Sequence, residues 1–306
     1  MARRKKRQRK RVIRSLMLFV ILVALSLLLA YFAPYLEQYF GEEPREPIPV
    51  GDDEYIEIHV IDVGQGDSIL INTSGGYMLI DAGPSSSEDE LKAYLTEMNV
   101  ETIEYAVFTH PDEDHIGNAD MVLTDYTISN VIMPNHSKTT KTYQNMMTAF
   151  DASGATMIQP VPEYEFTLGS MTVTILAPVA ESYKSTNDYS VVVRLDFGET
   201  SFMMTGDAEE TAEADILARY STAMFDCDVL KVGHHGSGTS TSQAFLDAVS
   251  PELALISCGE GNKYGHPYAI TLQKLEVASA EIYRTDEWGS IVVISDGTDI
   301  TVQPKK

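Results

Sequence analysis

The stretch Phe108-Thr-His-Pro-Asp-Glu-Asp-His-Ile-Gly117 holds four potential metal ligands within six positions. The segment before it, Ile103–Phe108, is mostly apolar or β-branched, which predicts a short buried strand. The four ligand side chains therefore lie on a loop at the end of a strand, where they can converge on one small volume. They are His110, Asp112, Asp114 and His115. The alternative interpretation is a solvated acidic loop with incidental histidines.

Three other predicted strands also end in candidate ligands. Asp81 follows the strand Tyr77–Ile80, Asp207 follows 201–205, and the pair His234-His235 follows 229–232. Strand ends on one edge of a layered protein are neighbours in space, so this coincidence favours a shared metal site over the solvated loop. Glycines flank the histidine pair, which indicates that backbone approaches closely there.

The order of the predicted elements indicates the fold class. Three short strands between residues 54 and 80 are joined by tight turns, which predicts an antiparallel sheet. Helices follow at 89–98 and 143–153, and a second series of strands and helices occupies 157–294. Two such halves packed face to face predict an α/β (α+β) protein, a four-layer αββα sandwich with its ligand-bearing loops along one edge.

These motifs resemble the metallo-β-lactamase superfamily, whose fold is the αββα sandwich and whose signature is His-x-His-x-Asp-His. Here the signature reads His110-Pro-Asp112-Glu-Asp114-His115, with Asp112 in place of the second histidine. That variant is similar to the C-terminal hydrolase domain of the ComEC competence family. Four further stretches carry the resemblance in the same order: Asp62-Val-Gly-Gln-Gly-Asp67, Thr205-Gly-Asp-Ala-Glu209, Leu230-Lys-Val-Gly-His-His-Gly-Ser237 and Asn262-Lys-Tyr-Gly-His-Pro267.

The resemblance implies two divalent metal ions, Mn²⁺ or Zn²⁺. It assigns His110 and Asp112 to the first site, assigns Asp114, His115 and His234 to the second, and makes Asp207 the bridge between them. The third histidine usual in the first site has no counterpart here. The matching region offers Asn187 or Asp188 instead, and His136 is predicted to be a surface residue. His235 is predicted to act in catalysis, with its role as ligand, supporting residue or substrate contact left open.

The expected donor set has chemical consequences. Oxygen ligands in place of imidazole favour harder ions, so Mn²⁺ should support activity at least as well as Zn²⁺. Two metal ions lower the pKa of a water molecule, which makes hydroxide available near neutral pH, and they stabilise charge on a phosphoryl group. Asp114 can orient that hydroxide.

A second set of residues is predicted to surround the substrate. His266 is a further catalytic candidate, and the predicted substrate contacts are Ser237, Lys263 and Arg284. Ordinary loop structure is the alternative for His266 and Lys263, and a surface salt bridge with Asp286 is the alternative for Arg284.

Charge and hydropathy divide the 306-residue chain, whose formal net charge is −23. Residues 1–40 hold nine of the 22 basic residues and one of the 45 acidic ones, so 41–306 carry 13 basic and 44 acidic residues, a net of −31. The run Leu16–Ala33 contains a single polar residue, Ser26. We expect a basic cytoplasmic tail at 1–11, a transmembrane anchor at 12–34, a linker at 35–53 and a hydrolase domain at 54–306. A cleaved signal peptide and a basic nucleic-acid-binding tail are the alternatives for the N-terminal segment.

The expected function is therefore a single-pass, membrane-anchored, extracellular metal-dependent hydrolase. The resemblance favours a phosphodiesterase or nuclease acting on DNA, with no nucleotide cofactor. One hydrophobic span is too few for the membrane channel of ComEC proteins. Hydrolysis of a small phosphodiester or lactone and a non-catalytic, metal-stabilised binding module are the alternatives. The two cysteines, Cys227 and Cys258, are expected to be small buried side chains, with a disulfide left open.

Overall fold

The computed structural model describes residues 54–305, which form two mixed β-sheets flanked by helices. The strands are β1 (Ile56–Val60), β2 (Ile69–Thr73), β3 (Gly76–Ile80), β4 (Thr102–Val107), β5 (Thr127–Ile132), β6 (Thr156–Ile158), β7 (Glu165–Leu168), β8 (Met171–Ala177), β9 (Val192–Phe197), β10 (Thr200–Met204), β11 (Val229–Lys231), β12 (Leu253–Ile256), β13 (Glu281–Arg284), β14 (Ser290–Ser295) and β15 (Ile300–Lys305). The α-helices of this range are α1 (Glu88–Glu97), α2 (Glu113–Ile116), α3 (Ala119–Asp125), α4 (Lys141–Ser153), α5 (Glu210–Arg219), α6 (Gln243–Val249), α7 (Ala269–Val277) and α8 (Thr285–Trp288).

The first sheet has the strand order β15-β14-β1-β2-β3-β4-β5-β6, and the second has the order β13-β12-β11-β10-β9-β8-β7. Strands β1 to β3 are antiparallel, as their tight turns predict. Strands β3 to β6 are parallel, because helices connect each of them to the next. The chain then returns to the first sheet at its end, where β14 pairs with β1. The first sheet thus contains strands from both the beginning and the end of the domain. The sequence had predicted that the first half of the domain would form one sheet and the second half the other.

Three apolar layers separate the four layers of the sandwich. Ile58 of the first sheet and Phe202 of the second belong to the layer between the sheets. Leu91 of α1 lies in the layer that packs the first sheet against its helices, and Phe245 of α6 lies in the corresponding layer on the second sheet. Because side chains alternate across a strand, a sheet covered on both faces needs apolar residues at successive positions, as in β2. The predicted αββα sandwich is confirmed.

Two local differences from the sequence prediction have simple causes. Strand β15 was not predicted, because it contains Pro304 and only two apolar residues; proline is tolerated there since β15 is an edge strand. Asp114 and His115 were predicted on a loop, but they lie on the short helix α2. The predicted stop of α4 at Gly154 is confirmed by its left-handed φ of 78°.

The predicted membrane anchor, basic tail and linker lie outside the described residues. Within 54–305, no helix is both long and apolar enough to cross a membrane. Cys227 and Cys258 are both buried and are not joined by a disulfide, in line with the favoured interpretation.

Gly66 offers a test of how the first sheet holds α2. A Cβ at this position would overlap the carbonyl oxygen of Asp114 and lie 2.7 Å from Cδ of Pro84. We expect Gly66→Ala to lower the free energy of unfolding by about 3 kcal/mol, because the backbone of Asp114 and the rigid ring of Pro84 resist movement. We also expect it to weaken metal binding by displacing Asp114. Urea unfolding and metal titration measure the two effects.

Gly261→Ala is the control, because no atom lies within 4 Å of its added Cβ and only its φ of 62° is strained. It should cost about 1 kcal/mol and leave metal affinity unchanged. Equal metal affinities in the wild type and Gly66→Ala would contradict this packing argument.

Candidate metal centre and active site

The carboxyl ends of β3, β4, β10 and β11 meet on one edge of the sandwich and bring the candidate ligands together. Asp81, His110, Asp207 and His235 follow these four strands within a few residues. A backbone hydrogen bond of 2.9 Å from Val191 N to Thr109 O joins the loops of the two sheets. The convergence expected from the strand-end pattern is therefore present.

Asp207 lies at the centre of this edge, and each of its carboxylate oxygens faces two histidines. Oδ2 lies 3.9 Å from Nε2 of His110 and 3.6 Å from Nε2 of His234. Oδ1 lies 3.2 Å from Nε2 of His115 and 3.6 Å from Nε2 of His235. Asp114 completes the second group, with its Oδ2 3.5 Å from Nε2 of His235. One carboxylate thus separates two sets of nitrogen donors.

The backbone of the adjacent histidines explains how they reach different oxygens. Both residues are left-handed, with φ of 49° at His234 and 55° at His235, and their ring planes differ by 72°. Such a conformation costs roughly 1–2 kcal/mol per residue and persists where the surrounding structure enforces it. His235 is buried and belongs with Asp114 and His115, whereas the side chain of His234 is 22% exposed.

Several buried ligand atoms at this centre have no hydrogen-bond partner among the described residues. They are Nε2 of His110, Nε2 of His115, Nε2 of His235 and Oδ1 of Asp207. Buried polar atoms are normally hydrogen-bonded, and their exceptions mark functional positions or bound ions. Imidazole and carboxylate donors converging in this way fit divalent transition-metal ions.

The outer nitrogen of His115 is fixed by Asp81. Nδ1 of His115 lies 2.7 Å from Oδ2 of Asp81, which also accepts a hydrogen bond of 2.7 Å from the hydroxyl of Thr109, while Oδ1 of Asp81 accepts one of 2.7 Å from the backbone N–H of Thr109. An ionised Asp81 accepts the Nδ1 proton and leaves Nε2 of His115 free for a metal, an arrangement common behind metal-binding histidines. Asp81 therefore supports a ligand, although its strand-end position made it a candidate ligand.

Behind His235 lies a second supporting group, formed by Lys231 and Asp67. The ammonium of Lys231 is fully buried and donates to Asp67 Oδ2 at 2.8 Å, while Asp67 Oδ1 lies 3.3 Å from His235 Nδ1. The Nδ1 atom of His235 also lies 3.0 Å from the carbonyl oxygen of Ser257. These acceptors favour the tautomer that directs the unprotonated Nε2 to the centre. Lys231 is thereby excluded from contact with substrate.

The neighbouring carboxylates raise the pKa of two of the three buried histidines at this centre, whereas the pKa of the third is lowered. Burial alone lowers the pKa of His235, but the charges of Asp207 and Asp67 and the nearby carboxylate of Asp114 raise it to about 10. Burial also lowers the pKa of His115, and Asp207 and Asp81 raise it well above its ordinary value. Burial and the charge of His115 lower the pKa of His110 to about 3. Two of the inner histidines therefore hold protons where a metal would bind.

The remaining predicted ligands lie in different surroundings. Asp112 lines the cavity, and its Oδ1 pairs with the ammonium of Lys138. Asp188 is buried and accepts the backbone N–H groups of Glu209 at 3.2 Å and Ala212 at 3.3 Å, so it caps the start of α5. It does not line the cavity, whereas its neighbour Asn187 does.

The predicted substrate contacts are only partly brought together. His266 lines the cavity with its ring centroid 5.4 Å from that of His234, and burial together with the charges of His234 and His235 lowers its pKa to about 4. It is therefore neutral at pH 7. Lys263 is exposed beside the cavity, with its ammonium 4.9 Å from the ring centroid of Tyr264.

Three other residues lie outside the cavity lining. Arg284 pairs with Asp286 and Glu287, at 2.6 and 2.9 Å, which is the salt bridge considered as the alternative. Ser237 is buried, with its Oγ 3.0 Å from the hydroxyl oxygen of Thr239. His136 is half-buried and stacks on Tyr189 with ring centroids 4.0 Å apart.

The cavity above the centre has a volume of about 160 Å³. Its lining consists of Gln65, Asp112, Asp114, Asn187, Asp207, His234, His235, Tyr264 and His266. Sites that bury drug-sized ligands measure about 300–1,000 Å³. This cavity therefore has room for one reacting group, with the rest of a larger substrate outside it.

A family model for the metallo-beta-lactamase superfamily matches residues 61–260. The chain belongs to the metallo-β-lactamase superfamily. Two curated relatives are ComE operon protein 3 of Bacillus subtilis, which is 30% identical over 253 residues, and Recombination protein 2 of Haemophilus influenzae, which is 31% identical over 242 residues. The alignments cover 77% and 78% of this chain but only 32% and 28% of those proteins, so the chain spans about a third of their length. The predicted superfamily and the resemblance to competence proteins are confirmed.

The solved structure of the metallo-β-lactamase fold protein YhfI from Bacillus subtilis has the same fold, with a TM-score of 0.53 and 12% sequence identity. The match covers 82% of this chain and 100% of YhfI. Superfamily members of this fold are metal-dependent hydrolases, and the histidine and aspartate clusters described above fit divalent ions.

Metal binding should release protons. Because the pKa of metal-free His235 is raised to about 10, this histidine is protonated at pH 7 to 8 and must lose its proton to bind a metal. We expect about one to two protons released per chain, and an apparent affinity that rises with pH until about 10, by up to about tenfold per pH unit for each displaced proton. Calorimetry in buffers of different ionisation enthalpy measures the release. An affinity independent of pH between 6 and 9 would contradict it.

Asp81→Asn should weaken metal binding by about 10- to 100-fold. Asparagine tolerates the φ of 59° at this position, but its amide would donate to Nδ1 of His115 and force the proton onto Nε2. Isothermal titration with Mn²⁺ measures the change.

Asp188→Asn is the matched control, because its amide oxygen can still cap α5. We expect its metal affinity to stay within about twofold of wild type, since capping is unchanged. A loss as large as that of Asp81→Asn would instead make Asp188 the ligand that the sequence predicted.

Proposed function

We propose that this chain is a two-metal phosphodiesterase that cleaves DNA. The observation that supports it most directly is Asp207, whose two oxygens each face two imidazole nitrogens. A carboxylate in that position suits a bridge between two ions, and two-metal sites are typical of enzymes that hydrolyse phosphodiesters.

The contacts around Asp207 suggest how the ligands divide. One ion would be held by Oδ2 of Asp207 with His110 and His234, and Asp112 lies near enough to the cavity to join them. The other would be held by Oδ1 of Asp207 with three further residues, Asp114, His115 and His235. The sequence prediction placed Asn187 or Asp188 in the first metal site and His234 in the second. In the division proposed here, His234 belongs to the first site instead. His235 then takes its place in the second site.

Each set combines imidazoles with carboxylates, and this mixture suits Mn²⁺ as well as Zn²⁺. When bound, such ions supply an activated water molecule and stabilise negative charge on a phosphoryl group. Asp114 is ionised throughout the physiological range: burial raises its pKa, but the contact with His235 and the charge of His115 lower it to about 2. It therefore serves as a hydrogen-bond acceptor that orients the attacking water. Neutral His266, which also lines the cavity, can donate a hydrogen bond to the substrate.

The small volume of the cavity and the names of the relatives of this chain favour a nucleic acid over a small substrate. A cavity of about 160 Å³ admits a phosphodiester group but not a whole β-lactam or nucleotide, so the substrate must extend outside it. The Haemophilus relative is named for recombination, and the Bacillus relative for the ComE operon. We further propose that residues 12–34 anchor the enzyme in the membrane with the hydrolase domain outside the cell, as the basic residues before the apolar run indicate.

Cleavage of labelled DNA by the full-length protein with Mn²⁺, Zn²⁺ or EDTA tests the proposal. We expect cleavage with Mn²⁺ at least equal to that with Zn²⁺ and none with EDTA. Asp207→Asn should lower kcat by about 10²- to 10³-fold, because the neutral amide would hold less firmly the two ions that would stabilise charge in the transition state.

Asp62→Asn is the matched control, because Asp62 is exposed and does not line the cavity. It should retain wild-type cleavage. A folded, metal-loaded protein that hydrolyses small phosphodiesters but no DNA would contradict the nuclease assignment and favour the small-substrate alternative. Metal binding without any turnover would favour a binding module.

A further inference from the structure

The loop between β12 and α7 forms one side of the cavity mouth and carries an exposed aromatic side chain. Tyr264 lines the cavity, yet 49% of its surface is accessible to solvent. Large aromatic side chains are usually buried at least in part. An exposed ring at the entrance of the metal centre is therefore a candidate for binding a ligand.

The side chain of Asn262 makes four hydrogen bonds that order this loop. The amide of Asn262 donates to the carbonyl oxygens of Gly259, at 3.0 Å, and His266, at 2.5 Å. Its carbonyl oxygen accepts the backbone N–H groups of Tyr264 at 3.1 Å and His266 at 3.0 Å. The position of the tyrosine is therefore set before any ligand arrives, which lowers the entropic cost of binding to it.

The ring of Tyr264 is also placed between the chemical centre and a cation. It stacks on His266 with centroids 5.6 Å apart and planes inclined by 23°, and His266 in turn neighbours both His234 and His235. The ammonium of Lys263 lies 4.9 Å from the tyrosine centroid. A ring with an ammonium over it thus stands at the mouth, and the exposed, flexible side chain of Lys263 can move aside when a base stacks on the ring.

We propose that Tyr264 is a base-stacking platform that selects unpaired nucleic acid strands. This inference rests on the proposed function. When a phosphodiester group enters a cavity of about 160 Å³, the flanking base must remain at the mouth, where Tyr264 meets it. Aromatic side chains bind bases of single strands in this way, whereas the faces of duplex bases are already covered by their neighbours.

The charge of the domain strengthens the case for stacking. With a net charge of −31 over residues 41–306, long-range attraction of phosphates is weak. Stacking depends little on that charge, and Lys263 adds one local cation close to the ring. If a single strand is held chiefly by stacking of its bases, its binding affinity should depend less on salt concentration than is usual for proteins that bind nucleic acids.

The test measures kcat/KM of the full-length enzyme with Mn²⁺ on a single strand, its blunt duplex, and a strand in which abasic residues replace the nucleosides. We expect the single strand to be preferred. Tyr264→Ala should lower kcat/KM on the single strand roughly 5- to 150-fold, which corresponds to about 1–3 kcal/mol per stacked base. Tyr264→Ala should have no effect on cleavage of the abasic strand. In a double-mutant cycle that combines this substitution with removal of the base, the two changes are therefore expected to be non-additive.

Two further variants separate stacking from other roles. Tyr264→Trp should retain or improve cleavage of the single strand, whereas Tyr264→Leu should behave like Tyr264→Ala. Tyr55→Ala, at an exposed tyrosine outside the cavity lining, should match wild type.

Two outcomes would overturn the inference in distinguishable ways. In the first, metal-dependent cleavage is intact, but single strand and duplex are cleaved equally and Tyr264→Ala has the same effect on normal and abasic strands. The stacking role of Tyr264 would then be wrong, while the proposed nuclease activity would be retained. If the metal-loaded wild type cleaves no nucleic acid, both the platform and the proposed function fail.

Discussion

The burial of several carboxylates in one small volume is the constraint on which the rest of the structure depends. Asp67, Asp81 and Asp207 are buried, and Asp114 is largely so. Uncompensated buried charges are costly, so each carboxylate needs a positive or hydrogen-bonding partner. Within the described residues, the ammonium of Lys231 serves Asp67, and the protons on the inner histidines serve the others. Metal ions would supply the same compensation with greater charge.

Holding these carboxylates in place requires both sheets. Backbone hydrogen bonds tie the ligand loops to one another: Asp67 N donates to Asp114 O at 3.1 Å, Ala82 N to His115 O at 2.7 Å, and His234 N to Gly206 O at 3.0 Å. Backbone strain collects at the same edge. Asp81, His234 and His235 all have left-handed φ, and unfavourable conformations of this kind persist where function demands a fixed side-chain direction.

The sequence was sufficient for the features that depend on local pattern. The apolar periodicity predicted most strands and helices, and the ligand types at strand ends predicted the position of the centre. The Lys231–Asp67 pair could not be predicted, because the partners are 164 residues apart and a lysine in a strand gives no sign of complete burial. The roles of His234 and His235 depend on their left-handed backbone conformation, which the local amino-acid sequence does not predict. Asp188 precedes a predicted helix, and its role as the cap of that helix was hidden by the distance of about 20 residues between them.

The central claim is that Asp207 bridges two metal ions, one on each oxygen. Anomalous diffraction from crystals of the protein grown with Mn²⁺ measures this directly. We expect two anomalous peaks, one adjoining Oδ2 of Asp207 with His110 and His234, and one adjoining Oδ1 with His115 and His235. A single peak, or two peaks of which neither contacts Asp207, would contradict it.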